Sequence, residues 1–153
     1  MGNSVLILDG DDVRNRLHTH LGFTEEDIKI NNELIAGLCL TSRGDYDIIF
    51  VPIISPFESS RKRARKLLGK DFYEIYFSAD LETVSARDVK GLYSKARRGE
   101  IPNLIGFSPG TPYEAPAAPD HVVHSGRETM KTCLDIFLRF VLRTLDNPSV
   151  ATR

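Results

Sequence analysis

The sequence predicts an α/β fold built on a parallel sheet with helices on both faces. The run Val5 to Leu8 is continuously apolar, as a strand covered on both faces requires, Tyr46 to Ile54 is β-branched and aromatic without clean alternation, and Phe72 to Phe77 and Val122-Val123 read as two further strands. Helical patterns stand between these runs, so strand and helix alternate along the chain. Polar residues gather where two of the runs end, at Asp9 to Asp12 and at Ser55, which marks the carboxyl edge of the sheet as the site.

The first strand stops at Gly10. In an extended segment Asp9 and Asp11 point to the same side, so two carboxylates arrive together at the strand end. That pair suits a magnesium ion shared with phosphates, or a base for a hydroxyl. The competing reading is a helix cap, with Asp11 or Asp12 accepting backbone N–H bonds from a helix over Arg14 to Leu21. Thr24 and Asp27 mark a second helix start, with Glu25, Glu26 and Asp27 at its positive end. Ile28, Ile35, Leu38 and Cys39 then follow helical spacing up to Gly44.

The second strand ends in Ser55-Pro56, and the proline is expected to open a basic helix over 59–69. Its charges, Arg61, Lys62, Arg63, Arg65 and Lys66, go nearly all round the helix and predict a solvated surface. After the third strand, Leu81 to Ala86 is a short helical connection and Lys90 to Arg98 a basic helix. Pro102 to Pro119 is a long proline- and glycine-punctuated loop interrupted by Phe107 and Tyr113. A loop of that length in a compact domain is typically a lid. Ser125 and Glu128 form a capping box for a terminal helix with the apolar stripe Met130, Cys133, Phe137, Val141 and Leu145. Residues 1–146 thus form one domain and 147–153 a flexible tail.

Composition narrows the function. At 153 residues the chain is long enough for a core, and a net charge of −1 argues against a protein built to hold nucleic acid or an anionic membrane. Cys39 and Cys133 lack metal-ligand spacing and read as core hydrophobes in a reducing compartment. Core-strand sequence follows Met1 at once, with no hydrophobic signal core and no membrane span, so a cytoplasmic location is expected.

A family resemblance then emerges from motifs in order. These are Leu8-Asp9-Gly10-Asp11 with Val13-Arg14, Leu21-Gly22-Phe23 with Glu25-Glu26-Asp27, Asn31, and Ile54-Ser55-Pro56-Phe57 with Arg61, Ala64 and Arg65. They continue as Ala86-Arg87-Asp88, Lys90-Gly91-Leu92-Tyr93, Lys95-Ala96-Arg97, Gly99-Glu100-Ile101 and Tyr113-Glu114-Ala115-Pro116. In their joint spacing the chain resembles adenylylsulfate kinase, which phosphorylates the 3′-hydroxyl of adenosine 5′-phosphosulfate (APS) with ATP in sulfate assimilation. The resemblance implies a P-loop-kinase-like three-layer sheet, Mg2+ with ATP as co-substrate, and a homodimer. It implies that Asp9 and Asp11 serve the metal and the attacking hydroxyl, and that Ser55 faces the reacting groups. Arg14 and Asn31 would hold the sulfated nucleotide, with Phe23 stacked on its adenine. Arg87 would lie near the ATP base, and Lys90, Lys95 and Arg97 would belong to a lid over the phosphates.

The chain departs from that family pattern. No Gly-x-x-x-x-Gly-Lys-[Ser/Thr] occurs in the 153 residues, and the family's first strand, phosphate loop and first helix have no counterpart before Val5. The missing strand would be central in the family's sheet, so strand edges and apolar helix faces are expected to be open. Around the sulfated nucleotide, arginines are replaced by Ile28, Glu33 and Leu34, and a lid aromatic by Leu104, with two extra residues after Gly106. Three readings follow. One is a kinase whose phosphate-loop segment is missing through a late start codon, a split gene or a shortened chain. The others are a non-catalytic relative that modulates a complete kinase or sulfurylase, and a kinase acting on another hydroxyl compound.

Overall fold

The computed structural model describes residues 2–146; the tail expected over 147–153 lies outside them. The elements run β1 (Val5–Ile7), α1 (Gly10–Arg16), α2 (Glu25–Ser42), β2 (Ile48–Phe50), α3 (Glu58–Leu68), β3 (Ile75–Phe77), α4 (Leu81–Arg87), α5 (Leu92–Arg97), β4 (His121–Val123) and α6 (Met130–Asp146). All four strands pair in parallel, as expected, but they form two separate two-stranded sheets, β1 with β2 and β3 with β4.

The strands are shorter than their apolar runs. Beyond Phe50 the chain from Val51 to Ile54 leaves the ladder, and only Gly10 N–H to Pro52 O continues the pairing. Phe72 to Glu74 likewise precede β3 rather than belong to it. Val5 and Ile7 are 45% and 63% exposed, so one face of β1 is open rather than covered on both sides. The two-stranded sheets thus leave strand edges and this face of β1 open.

α6 joins the two halves. The Phe137 ring lies 5.5 Å from that of Phe50 in β2 and 5.8 Å from that of Phe77 in β3, and Phe140 packs on Tyr73 and His121. Only part of the expected stripe is used: Cys133 is buried, whereas Met130 is 89% exposed. The helix begins later than the Ser125–Glu128 spacing suggests. Thr129 Oγ1 accepts from Thr132 N, while the Ser125 hydroxyl donates to Ser78 O. A tertiary bond to the end of β3 has taken the side chain that would have capped the helix.

α2 starts as its capping box predicts, with Thr24 and Asp27 bonding reciprocally, and buries Ile28, Ile35, Ala36 and Cys39 against α3. α3 starts at Glu58, two residues after Pro56, and ends at Gly69, whose φ of 72° suits glycine. Cys39 and Cys133 are both buried and unbridged, and burial raises the Cys39 thiol pKa.

Two outcomes are expected. Phe137→Ala should lower unfolding free energy by about 2–4 kcal/mol in denaturant titration, because one ring packs on both sheets. Burial, and then the charge of Arg143, lower the His121 pKa below the ordinary histidine value of 6.5. The unfolded chain therefore binds the proton more readily, and stability should fall as pH drops below 6.5. His121→Phe, which keeps the stack on Phe140, should flatten that fall between about pH 7.5 and 5.5.

Candidate active site

Asp9 stands at the end of β1, but not as an extended-strand partner of Asp11. The helix begins at Gly10, and Asp9 is its N-cap, with Oδ1 accepting from Asp11 N at 2.9 Å and Asp12 N at 3.2 Å. The cap belongs to Asp9, not to Asp11 or Asp12, and the helix ends at Arg16 rather than Leu21. Close approach fixes the turn: a Cβ on Gly10 would lie 2.6 Å from a methyl carbon of Ile53. Both carboxylates remain at the strand edge. Among the described residues, Asp9 Oδ2 and Asp11 Oδ1 make no hydrogen bond, while Asp11 Oδ2 pairs with the Lys90 ammonium. That bond, with the nearby Asp9 charge adding to it, raises the Lys90 pKa above the ordinary lysine value.

Arg14, Phe23 and Asn31 come from α1, the following loop and α2. The Arg14 guanidinium lies 4.7 Å from the Phe23 ring centroid, and its Nη1 donates to Gly22 O at 2.6 Å. Burial lowers the Arg14 pKa, against the opposing charges of Asp27 and Asp11. Phe23 is 55% exposed, an open ring face of the kind that receives a base. Asn31 is buried, and its Oδ1 lies 2.8 Å from Nδ1 of buried His18. Its neighbour Asn32 donates to Ser55 Oγ at 3.0 Å. Ser55 has φ of 41°, a left-handed conformation that a non-glycine residue holds only where its surroundings enforce it.

The enforcing group is on α3. Arg61 is 7% exposed and donates to Ser55 O and Glu114 O, both at 2.8 Å, with Nε 2.7 Å from Glu74 Oε1. Arg65 pairs with Asp120 at 2.6 Å. The expected solvated surface thus holds only for the other side of α3, where Lys62 and Arg63 pair with Glu58 and Glu33. Helical spacing separated the two sets: Arg61 and Arg65 are one turn apart on the face toward β3 and β4.

The segment over 102–119 carries no regular element but is tied down. Thr111, 1% exposed, donates to Leu104 O, Gly106 N donates to Thr111 O, and Glu114 Oε2 accepts from Glu58 N at the start of α3. Leu104 therefore anchors a turn inside the loop. The basic helix is shorter than expected, because Asp88 accepts from Tyr93 N and Ser94 N and so starts α5 after Lys90-Gly91. Lys95 and Arg97 are exposed on α5. Arg87 donates to Ser125 O, beside a hollow of about 280 Å3 lined by Val84, Val89, Leu92 and Tyr93.

His18, Asn32, Glu74 and Glu114 carry the site from below and are not among the residues singled out from the sequence as site residues. Glu114 stands inside the Tyr113-Glu114-Ala115-Pro116 motif, Asn32 follows Asn31 directly, and His18 lies three residues before Leu21-Gly22-Phe23, whereas Glu74 has no such neighbour. Among the described residues no helix is long and apolar enough to cross a membrane.

Two carboxylates and cationic side chains at the carboxyl ends of parallel strands define the chain as a phosphate-handling α/β protein. A family profile described as adenylylsulphate kinase matches residues 1–124. The adenylyl-sulfate kinase of Clostridium kluyveri is 42% identical over 141 residues, 92% of this chain and 70% of that protein. A probable adenylyl-sulfate kinase of Bacillus subtilis is 39% identical, covering 94% and 73%. An APS kinase of Mycobacterium tuberculosis, solved with AMPPNP and APS, superimposes with a TM-score of 0.79 at 31% identity, covering 92% of this chain and 82% of that one. This chain belongs to the adenylylsulfate kinase family and has the P-loop kinase fold.

Glu74→Gln should destabilise the chain by about 3 kcal/mol, because it removes the carboxylate facing buried Arg61. Hydrogen exchange should then rise in the segment around Glu114 as well as in α3, since Arg61 holds both.

Proposed function

We propose that these residues carry the acceptor-nucleotide side of an APS kinase, which transfers the γ-phosphoryl group of ATP to the 3′-hydroxyl of APS. The observation that supports this most directly is the Arg14 guanidinium lying over the half-exposed Phe23 ring within electrostatic reach of Asp11, at the strand end that Asp9 caps. Phe23 takes the adenine of APS, while Arg14 and Asn31 take its charged end. Asp11 accepts the proton of the attacking hydroxyl, and Ser55, held by Asn32 and Arg61, lines the reacting edge. The ATP base lies in the hollow beside Arg87, and Lys90, Lys95 and Arg97 neutralise its phosphates. Phosphoryl transfer needs positioning and charge neutralisation rather than a covalent intermediate, and this set supplies both.

The free oxygens of Asp9 and Asp11 fit a magnesium site of the usual kind, one or two carboxylates completed by substrate phosphates. Bound there, the ion would neutralise the phosphates of ATP. Two buried free thiols suit a cytoplasmic setting, and a homodimer is the assembly proposed. Ile28 is 3% exposed and Glu33 pairs with Arg63, so neither offers a cation to the phosphosulfate, and APS affinity is correspondingly reduced.

Because the 153 residues contain no phosphate-loop motif, the chain by itself should show little ATP-dependent turnover, each absent backbone donor being worth about 3 kcal/mol. A coupled assay with APS and ATP checks this, and turnover equal to that of the Clostridium kluyveri relative would overturn it. By titration calorimetry the chain should prefer APS to ATP, and Phe23→Ala should weaken APS by about 1–3 kcal/mol. A stronger response to ATP, or no change with Phe23→Ala, would show that the family's substrate site is not retained in this chain.

A further inference from the structure

His18 is only 6% exposed, an uncommon place for an imidazole, and its Nδ1 lies 2.8 Å from Oδ1 of Asn31, itself 4% exposed. A carbonyl oxygen can only accept, so the imidazole nitrogen facing it must carry the hydrogen. The Asn31 amide is thereby fixed in one of its two orientations. Its Nδ2 makes no hydrogen bond among the described residues, and it is not one of the fully buried polar atoms left without a partner, so it keeps contact with solvent. The neighbouring amide provides the contrast, since Asn32 Nδ2 is spent on Ser55 Oγ. Two adjacent asparagines on one helix thus divide their roles, one bracing the strand-end turn and the other keeping a donor in reserve.

We propose that His18 is a positioning residue: its Nδ1–H holds Asn31 Oδ1 so that Asn31 offers its NH2 group, and not its oxygen, to an anionic oxygen of the bound sulfated nucleotide. The inference rests on the placement of APS against Arg14, Phe23 and Asn31. Were the amide reversed, its oxygen would face the phosphosulfate and repel it. His18 therefore selects an anion over a hydrogen-bond donor at this position. α1 brings this about locally, because the His18 amide still bonds to Val13 O at the end of the helix that begins at Asp9.

The test is a cycle of variants in the full chain, read by calorimetric titration with APS. His18→Leu should weaken binding roughly ten- to a hundredfold, the range for a hydrogen bond to a charged group. His18→Gln, whose amide can donate, should recover part of that loss. Asn31→Ala should weaken binding similarly, and the double variant His18→Leu/Asn31→Ala should bind no worse than Asn31→Ala alone. Additive losses would mean that His18 does not act through Asn31 and would overturn the inference. The 15N spectrum of the wild-type imidazole supplies a check independent of any variant. The neutral ring should show Nδ1 protonated and Nε2 bare, and the opposite tautomer would reverse the amide and sink the proposal. Wild-type chain that binds no APS at all would defeat the placement of the substrate, and the inference with it. Binding that survives His18→Leu unchanged defeats the inference alone.

Discussion

One buried guanidinium ties this structure together. Arg61 reaches the carbonyl of Ser55 at the end of the β2 segment, the carbonyl of Glu114 in the long loop, and the carboxylate of Glu74 before β3. Those three points lie after β2, in the long loop and just before β3, so they flank both sheets. A charge taken out of water needs partners, and the arginine fork finds two carbonyls for its terminal nitrogens and an ion pair with Glu74 by drawing distant segments onto one helix face. Arg65, one turn further along, extends the same network to Asp120 beside β4.

The consequences reach the site directly. Ser55 holds a left-handed backbone because Arg61 binds its carbonyl and Asn32 binds its hydroxyl. Glu114 keeps its place near the site because its carbonyl is held by Arg61, and its carboxylate in turn serves the first turn of α3. Phe57, the residue that would cap α3, has no side-chain oxygen to offer. The long loop is held to the body of the chain at Glu114 and tied internally at Thr111, while Asp11 and Lys90 meet across the opening at the Lys90-Gly91 turn.

Much of the candidate site was legible residue by residue. The strand end at Asp9, the capping box at Thr24 and the stop at Gly69 each follow from local chemistry and stand where local chemistry puts them. Errors arose where a distant partner changed a local preference. Ser125 gave its hydroxyl to Ser78 instead of capping α6, and Arg61 left the solvated face for Glu74. The extended geometry assigned to Asp9 and Asp11 failed because the cap bonds of Asp9 begin the helix at Gly10.

By itself the sequence determined the kind of protein this is: parallel strands, acidic and basic groups at their ends, and an ordered series of motifs that marks the adenylylsulfate kinase family. Those features depend on side-chain identity and short spacing, which one chain displays directly. Only the tertiary structure decided which polar groups are already spent and which remain free to bind. Asn31 and Asn32 are identical in sequence terms, yet His18 leaves one amide nitrogen open while Ser55 occupies the other. The partners that make this distinction lie 13 and 23 residues away, and no local pattern specifies a hydrogen bond across such a separation.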